Sequence, residues 1–129
     1  MKYYVKICYR RVYLFKFIPT PFYHTFFEIF DGEKIIRKGF YNKEGKKNSF
    51  EVFVSLFKNV IGEISNEKGK MDKFIVLSEK KEDVKKVLKT IKESKAEMYN
   101  MLGYNCFDWR NGILKKAGLD IPKDSWFGI

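Results

Sequence analysis

The chain of 129 residues predicts an α+β fold built on an antiparallel sheet. Three observations carry that expectation. Strand-type alternation dominates the first forty or so residues. An Asp-Gly pair, Asp31-Gly32, separates two β-rich runs. Both clear helical patterns come late in the chain, and strands followed by helices is the α+β arrangement. The length fits one domain, 1–129, with a single sizeable core. A hydrophobic fraction of 45% with 18% aromatic residues excludes a disordered chain, and three prolines and nine glycines leave no linker.

Residues 2–9 alternate, with Tyr3, Val5, Ile7 and Tyr9 on one face, and form the first strand. Val12 to Ile18 is a second apolar run, which Pro19-Thr20-Pro21 is expected to break. The stretch "FYHTFFEIF" (22–30) is a strand, Asp31-Gly32 a hairpin turn, and "EKIIRKGFY" (33–41) the return strand. Residues 42–49 form a polar loop. The stretch 50–64 carries strand-type residues at helix-like spacing and stays open between the two. "MDKFIVLS" (71–78) is a strand, and Ser78 is expected to cap a helix with Val84, Val87, Leu88 and Ile91 on one stripe. The last helix starts at Cys106, behind Asn105 as N-cap. Phe107, Ile113, Leu114 and Ala117 are its apolar residues, Gly118 its stop, and Pro122 comes shortly after.

The net charge of +10 is built from 22 Lys and only 4 Arg. Bidentate recognition of phosphate and guanine relies on Arg, so a nucleic-acid partner is disfavoured. A solvated surface or an acidic protein partner suits a lysine excess better. No apolar run approaches the ~18 residues of a membrane span. The N-terminal "MKYYVKICYRRVYLFKFIPT" is broken by charges every few residues and reads as strand, not as a signal peptide. Two cysteines read as reduced thiols, which points to synthesis in a cytosol. No metal or cofactor is expected.

Cys106 would occupy the first position of a helix, where the dipole and unpaired N–H groups favour thiolate. Thiols so placed have pKa values lowered to roughly 3.5–7.5. His24 is the single histidine, set inside a strand, and the only side chain with an ordinary pKa near neutrality. Each has a plain structural reading, a half-buried thiol and a packed imidazole. Together they are the two parts of an activated cysteine nucleophile. Cys8, on a strand, reads as structural. Trp109 reads as core, and Asp108 as a charge complementing the helix dipole.

The segments "HTFFEIFDG", "GFY" (Gly39–Tyr41) and "YNMLGYNCFDW…ILKKAGLDIP" together resemble a permuted NlpC-type, papain-like family, over about residues 22–122. The family pattern is His-x-Phe-(Ile/Leu)-Glu-(Ile/Leu), then Gly-Phe-Tyr, then Tyr-x-Leu-x-x-Asn-Cys opening the last helix. Having His24 before Cys106 is the order of the permuted branch that includes lecithin:retinol acyltransferase-like proteins. The resemblance implies a papain-like fold with an antiparallel sheet packed on the nucleophile helix. It makes Cys106 the nucleophile and His24 the acid/base. The family's orienting group lies on the next strand, about twelve residues beyond the histidine, where this chain departs from the pattern with Ile36. Glu28 shares the His24 face, but four strand residues put it about 13 Å away. Glu33, Arg37 and Tyr41 on the return strand stay open as orienting candidates, as does a dyad held by a backbone carbonyl. The backbone N–H of Cys106 would be the first oxyanion donor, with Tyr99 or Asn105 as second. Asn105 also reads simply as the cap, and Tyr99 as a packing aromatic.

In chemical terms the resemblance implies thiol-dependent attack on an amide or ester bond, by a peptidase, peptidoglycan amidase, deamidase or acyltransferase. The substrate would be a protein or peptidoglycan. Bacterial polymorphic and contact-dependent toxin domains belong to this family. That implies a chain made in a bacterial cytoplasm, delivered or secreted into target cells, and held by an acidic immunity protein in its producer. The alternative is a non-catalytic basic module that binds nucleic acid or an acidic protein.

Overall fold

The structure, a computed structural model, describes residues 3–14, 17–42, 60–67, 69–95, 98–99 and 104–124. Its elements run β1 (Tyr4–Leu14), β2 (Ile18–Phe30), β3 (Ile35–Asn42), β4 (Val60–Asn66), β5 (Lys73–Ser78), α1 (Lys81–Glu93), β6 (Met98–Tyr99) and α2 (Cys106–Ala117). The sheet order is β5-β1-β2-β3-β4-β6. Every neighbouring pair is antiparallel, and β6 is a two-residue addition at the β4 edge. The protein is therefore α+β, with an antiparallel sheet and two helices among the described residues. Most of the polar loop expected at 42–49 and much of the open stretch 50–64 lie outside the described residues. Where the structure takes up again, Val60–Ile64 belongs to strand β4.

The prolines do not break a strand. Pro19 pairs with Tyr13 and Tyr23 with Arg11, so three residues, Thr20 to Phe22, stand opposite Val12 alone. Such a bulge is where a strand tolerates proline, because the missing N–H falls outside the regular ladder. Thr20 fills the gap: its hydroxyl donates to the Val12 carbonyl at 2.6 Å and accepts from Phe22 N–H at 3.3 Å. The hairpin expected at Asp31-Gly32 forms, with a four-residue loop. Asp31 Oδ1 accepts the N–H groups of Glu33 and Lys34, both at 2.9 Å, and Gly32 takes φ 99°, a conformation that favours glycine.

Ser78 does not cap α1. The helix begins two residues later, behind Lys80, whose side chain makes no cap bond. The Ser78 hydroxyl instead donates to the Asp83 carboxylate at 2.6 Å and accepts from Lys80 N–H, so it fastens the chain leading into the first turn. Both helices bury one stripe in a common core. Val84, Val87 and Ile91 of α1 join Phe107, Trp109, Ile113 and Leu114 of α2 over Val5, Ile7, Phe27, Ile29 and Phe40 of the sheet. Each such side chain contributes about 1.5–3 kcal/mol on burial. Trp109 packs edge-on to Phe27 at 5.6 Å and stacks with Phe40 at 6.3 Å.

A buried ion pair locks α2 to the sheet. Arg110 is 0% exposed, and all five of its N–H donors are engaged. Two go to Asp124, two to Asn111 and one to the Thr25 hydroxyl on β2. The Tyr9 hydroxyl also donates to Asp124. Among the described residues no helix is long and apolar enough to cross a membrane.

Candidate functional site

The amino end of α2 is built as its sequence suggests. Asn105 Oδ1 accepts from Phe107 N–H at 2.9 Å and Asp108 N–H at 3.3 Å, and Asp108 returns a bond to Asn105 N–H at 3.0 Å. This capping box makes Cys106 the first helical residue. The far end closes on Gly118 at φ 79°, with Leu119 N–H bonded to Leu114 O. Cys106 is 4% exposed.

His24 sits within β2, opposite Arg10 of β1 in the register. Its ring lies 4.6 Å from that of Tyr41 and stacks at 5.7 Å on Phe26. Cys106 stands close enough to the imidazole for its charge to favour the protonated ring. On another side stands Glu67, the first residue past β4. Its N–H donates to Arg37 O at 3.0 Å, which continues the β3 register by one step. Glu67 Oε1 is 3.3 Å from His24 Nε2, and Oε2 is 2.5 Å from Arg10 Nη1. Neither His24 Nε2 nor Glu67 Oε1 makes a well-formed hydrogen bond among the described residues, so their contact is an ion pair whenever the imidazole is protonated. The four groups thus run Cys106, His24, Glu67, Arg10.

The electrostatics reflect this order. Burial alone would pull the His24 proton affinity down. The polar influence of Cys106 and then of Glu67 outweighs it and holds the imidazole above its ordinary 6.5. Burial pushes the Glu67 carboxyl up, but its close contacts with His24 and Arg10 and their charges hold it below its ordinary 4.5. The second thiol contrasts with the first in setting. Cys8 is fully buried, and burial together with the charge of Glu28 pushes its pKa up to about 12.

The remaining sequence candidates fall elsewhere or take other work. Glu33 is exposed at the hairpin tip, roughly 20 Å down the strands from His24. It is not placed to orient the imidazole. Arg37 binds Glu28 at 2.7 Å and Gly69 O at 2.7 Å, so it does not face His24. Glu28 itself is taken up by Arg37, Tyr4 and Lys6. Tyr41 reaches His24 through its ring. Asn105 commits its side-chain oxygen and backbone N–H to the cap. The backbone of Tyr99 pairs with Val60, and its side chain lies outside the described residues. Among the described residues no three or more His, Cys, Asp and Glu side chains group to hold a metal ion.

Glu67 and Arg10 escaped the sequence reading. In "SNEKGKMD" a glutamate looks like one more solvated loop charge. The available signal was its place directly after a strand, hidden because that strand opens inside the ambiguous stretch. Compared with protein-family models, with curated proteins and with solved structures, the chain gives no match in any of the three.

Proposed function

We propose that the protein is a papain-like, permuted NlpC-type thiol hydrolase or acyltransferase that acts on an amide or ester carbonyl. Cys106 is the nucleophile, His24 the acid/base and Glu67 the orienting carboxylate. One observation carries this reading: the single histidine feels both a helix-opening thiol and a buried carboxylate 3.3 Å from its Nε2. Imidazole has two nitrogens, and with Nε2 facing Glu67 the other, Nδ1, serves the thiol.

The reaction begins with transfer of the Cys106 proton to His24. Cys106 Sγ forms a bond to the carbonyl carbon, and the oxyanion is met by the Cys106 N–H at the helix terminus. The tetrahedral adduct collapses as the imidazolium passes its proton to the leaving nitrogen or oxygen, whose bond to carbon breaks. Neutral His24 then takes a proton from water, or from an acceptor hydroxyl or amine, whose heavy atom bonds the carbon. The thiolate leaves and the imidazolium is restored. Glu67 fixes the ring and favours its charged form.

The charge pattern supports an acidic protein as partner over nucleic acid. All four arginines are bound within the fold: Arg10 to Glu67, Arg11 to Thr20 O and the Tyr23 hydroxyl, Arg37 to Glu28, and Arg110 to Asp124. The outward positive charge among the described residues is lysine, including Lys86, Lys89 and Lys116 around a groove of about 410 Å³ between α1 and α2 that Glu93 also lines. That groove lies about 15 Å along α2 from Cys106, so a partner there need not cover the thiol. Delivery as a toxin domain and restraint by an immunity protein remain the context that the family resemblance implies.

Limiting iodoacetamide at pH 6.5, followed by peptide mapping, tests the proposal without a known substrate. Cys106 should be labelled well ahead of Cys8, and His24→Ala should slow the labelling of Cys106 at least tenfold. Labelling of Cys106 that is indifferent to His24 would remove the paired thiol.

A further inference from the structure

We infer that Arg10 is a positioning residue that balances the charge of Glu67 whenever His24 gives up its own, and so lets the imidazole release its proton. The inference rests on the proposed Cys106–His24–Glu67 reading and goes one residue beyond it.

Geometry gives Glu67 two cationic partners, one on each oxygen: His24 Nε2 at 3.3 Å from Oε1 and Arg10 Nη1 at 2.5 Å from Oε2. Its side chain is only 2% exposed, so water cannot replace a lost partner. A buried carboxylate without compensation is strongly disfavoured. The two cations differ in kind. Arg10 is charged at every working pH, whereas His24 must become neutral midway through the reaction. With His24 protonated, the series thiolate, imidazolium, carboxylate, guanidinium alternates in sign. With His24 neutral and the sulfur acylated, Glu67 and Arg10 still form a closed pair. Remove the guanidinium, and proton release from His24 would strand a naked carboxylate. The proton would then be held to higher pH.

The surroundings fix Arg10 in this place. Its Nη1 also donates to Lys70 O at 3.4 Å, and its guanidinium lies 5.5 Å from the Phe26 ring. A Cβ on Gly69, whose φ is +104°, would come within 3.3 Å of Nη1, so the chain after β4 closes tightly on the guanidinium. Among the described residues, the other titratable or charged groups near His24 and Glu67 are Cys106 of α2, Tyr41 of β3, and Arg37 of β3, which is turned toward Glu28 and Gly69 O.

Because the protein has a single histidine, ¹⁵N NMR of the imidazole reads this directly. The full chain carrying Cys106→Ala serves as parent, which removes the coupled thiol titration. Arg10→Met should raise the His24 midpoint by about one unit, the scale of a charge acting at ion-pair distance. Arg10→Lys should stay near the parent. A guanidinium that only held the loop would, on removal, loosen Glu67 and lower the midpoint or leave it unchanged, and either result overturns the inference. Should Arg10→Met unfold, adding Glu67→Gln must restore the fold; failure to do so also overturns it. Glu67→Gln alone should lower the midpoint. A midpoint unmoved by Glu67→Gln would instead sink the orienting role of Glu67, a separate outcome from failure of the Arg10 arm.

Discussion

Asp124→Ala strands three buried donors at once: two N–H groups of Arg110 and the hydroxyl of Tyr9. Arg110 is 0% exposed and the Asp124 side chain 1%, so solvent offers no replacement. Leaving one buried donor unsatisfied costs about 1–3 kcal/mol, and breaking a buried ion pair from one side about 3–5 kcal/mol. These describe overlapping losses, and we expect about 4 kcal/mol in total, a large part of the roughly 5–15 kcal/mol that holds a domain folded. The consequence reaches the site, because Arg110 lies one helical turn beyond Cys106 and binds Thr25, the neighbour of His24 in β2. Urea unfolding monitored by tryptophan fluorescence reads the change. With a slope of about 1–3 kcal/mol per molar urea, the midpoint should fall by about 2 M. Removing both charges with Arg110→Met and Asp124→Leu should recover most of the loss, since an apolar pair leaves no uncompensated charge. A midpoint that moves by less than about 0.5 M in Asp124→Ala, or a double variant worse than the single, would refute the reasoning.

The same physics sets three further outcomes. His24 is held above 6.5, so its stabilising contribution is complete below that pH and fades as pH rises through its folded value; Glu67 is held below 4.5, so its contribution is present above that pH and fades as pH falls. The stability lost in Glu67→Gln, measured by urea melts across pH, should therefore be greatest between about pH 4.5 and 6.5 and smaller on either side. Asn105→Ala removes the acceptor of two cap bonds and should cost about 1 kcal/mol, with Asn105→Asp recovering most of it in the same melts. Gly118→Ala meets no atom within 4 Å, so only its left-handed backbone resists, and the melts should show a loss of about 1 kcal/mol.

The features legible in the sequence were local. Alternation in 2–9 and 22–30, the Asp31-Gly32 turn, the stripe of α1 and the Asn105–Gly118 frame of α2 each depend on residues a few positions apart. The strand β4 was hidden because "FEVFVSLFKNVIGEI" satisfies helical spacing with strand-favouring residues. The bulge around Thr20 was hidden because two extra residues in one strand leave no mark on its period. Cys106 and His24 stand out in the sequence because each carries its own chemical signature, and the structure brings them close enough to interact. Glu67 and Arg10 do not stand out, since their places beside His24 come from register: Arg10 lies opposite His24, and Glu67 one further step along β3. Asp124 likewise meets Arg110 only after the chain has turned back past Gly118.

In the proposed reaction Cys106 attacks carbonyl carbon with the help of His24. Exposure to p-nitrophenyl acetate, with nitrophenolate release read by absorbance and the acetylated residue located by mass spectrometry, tests it most directly. We expect a burst of release with the acetyl group on Cys106, lost in Cys106→Ala and reduced nearly as far in His24→Ala, because each is ineffective without the other. Both variants should keep the wild-type far-UV spectrum, and Cys8→Ser should retain the burst. Acetylation confined to lysines, or a Cys106 adduct that forms equally fast without His24, would contradict it.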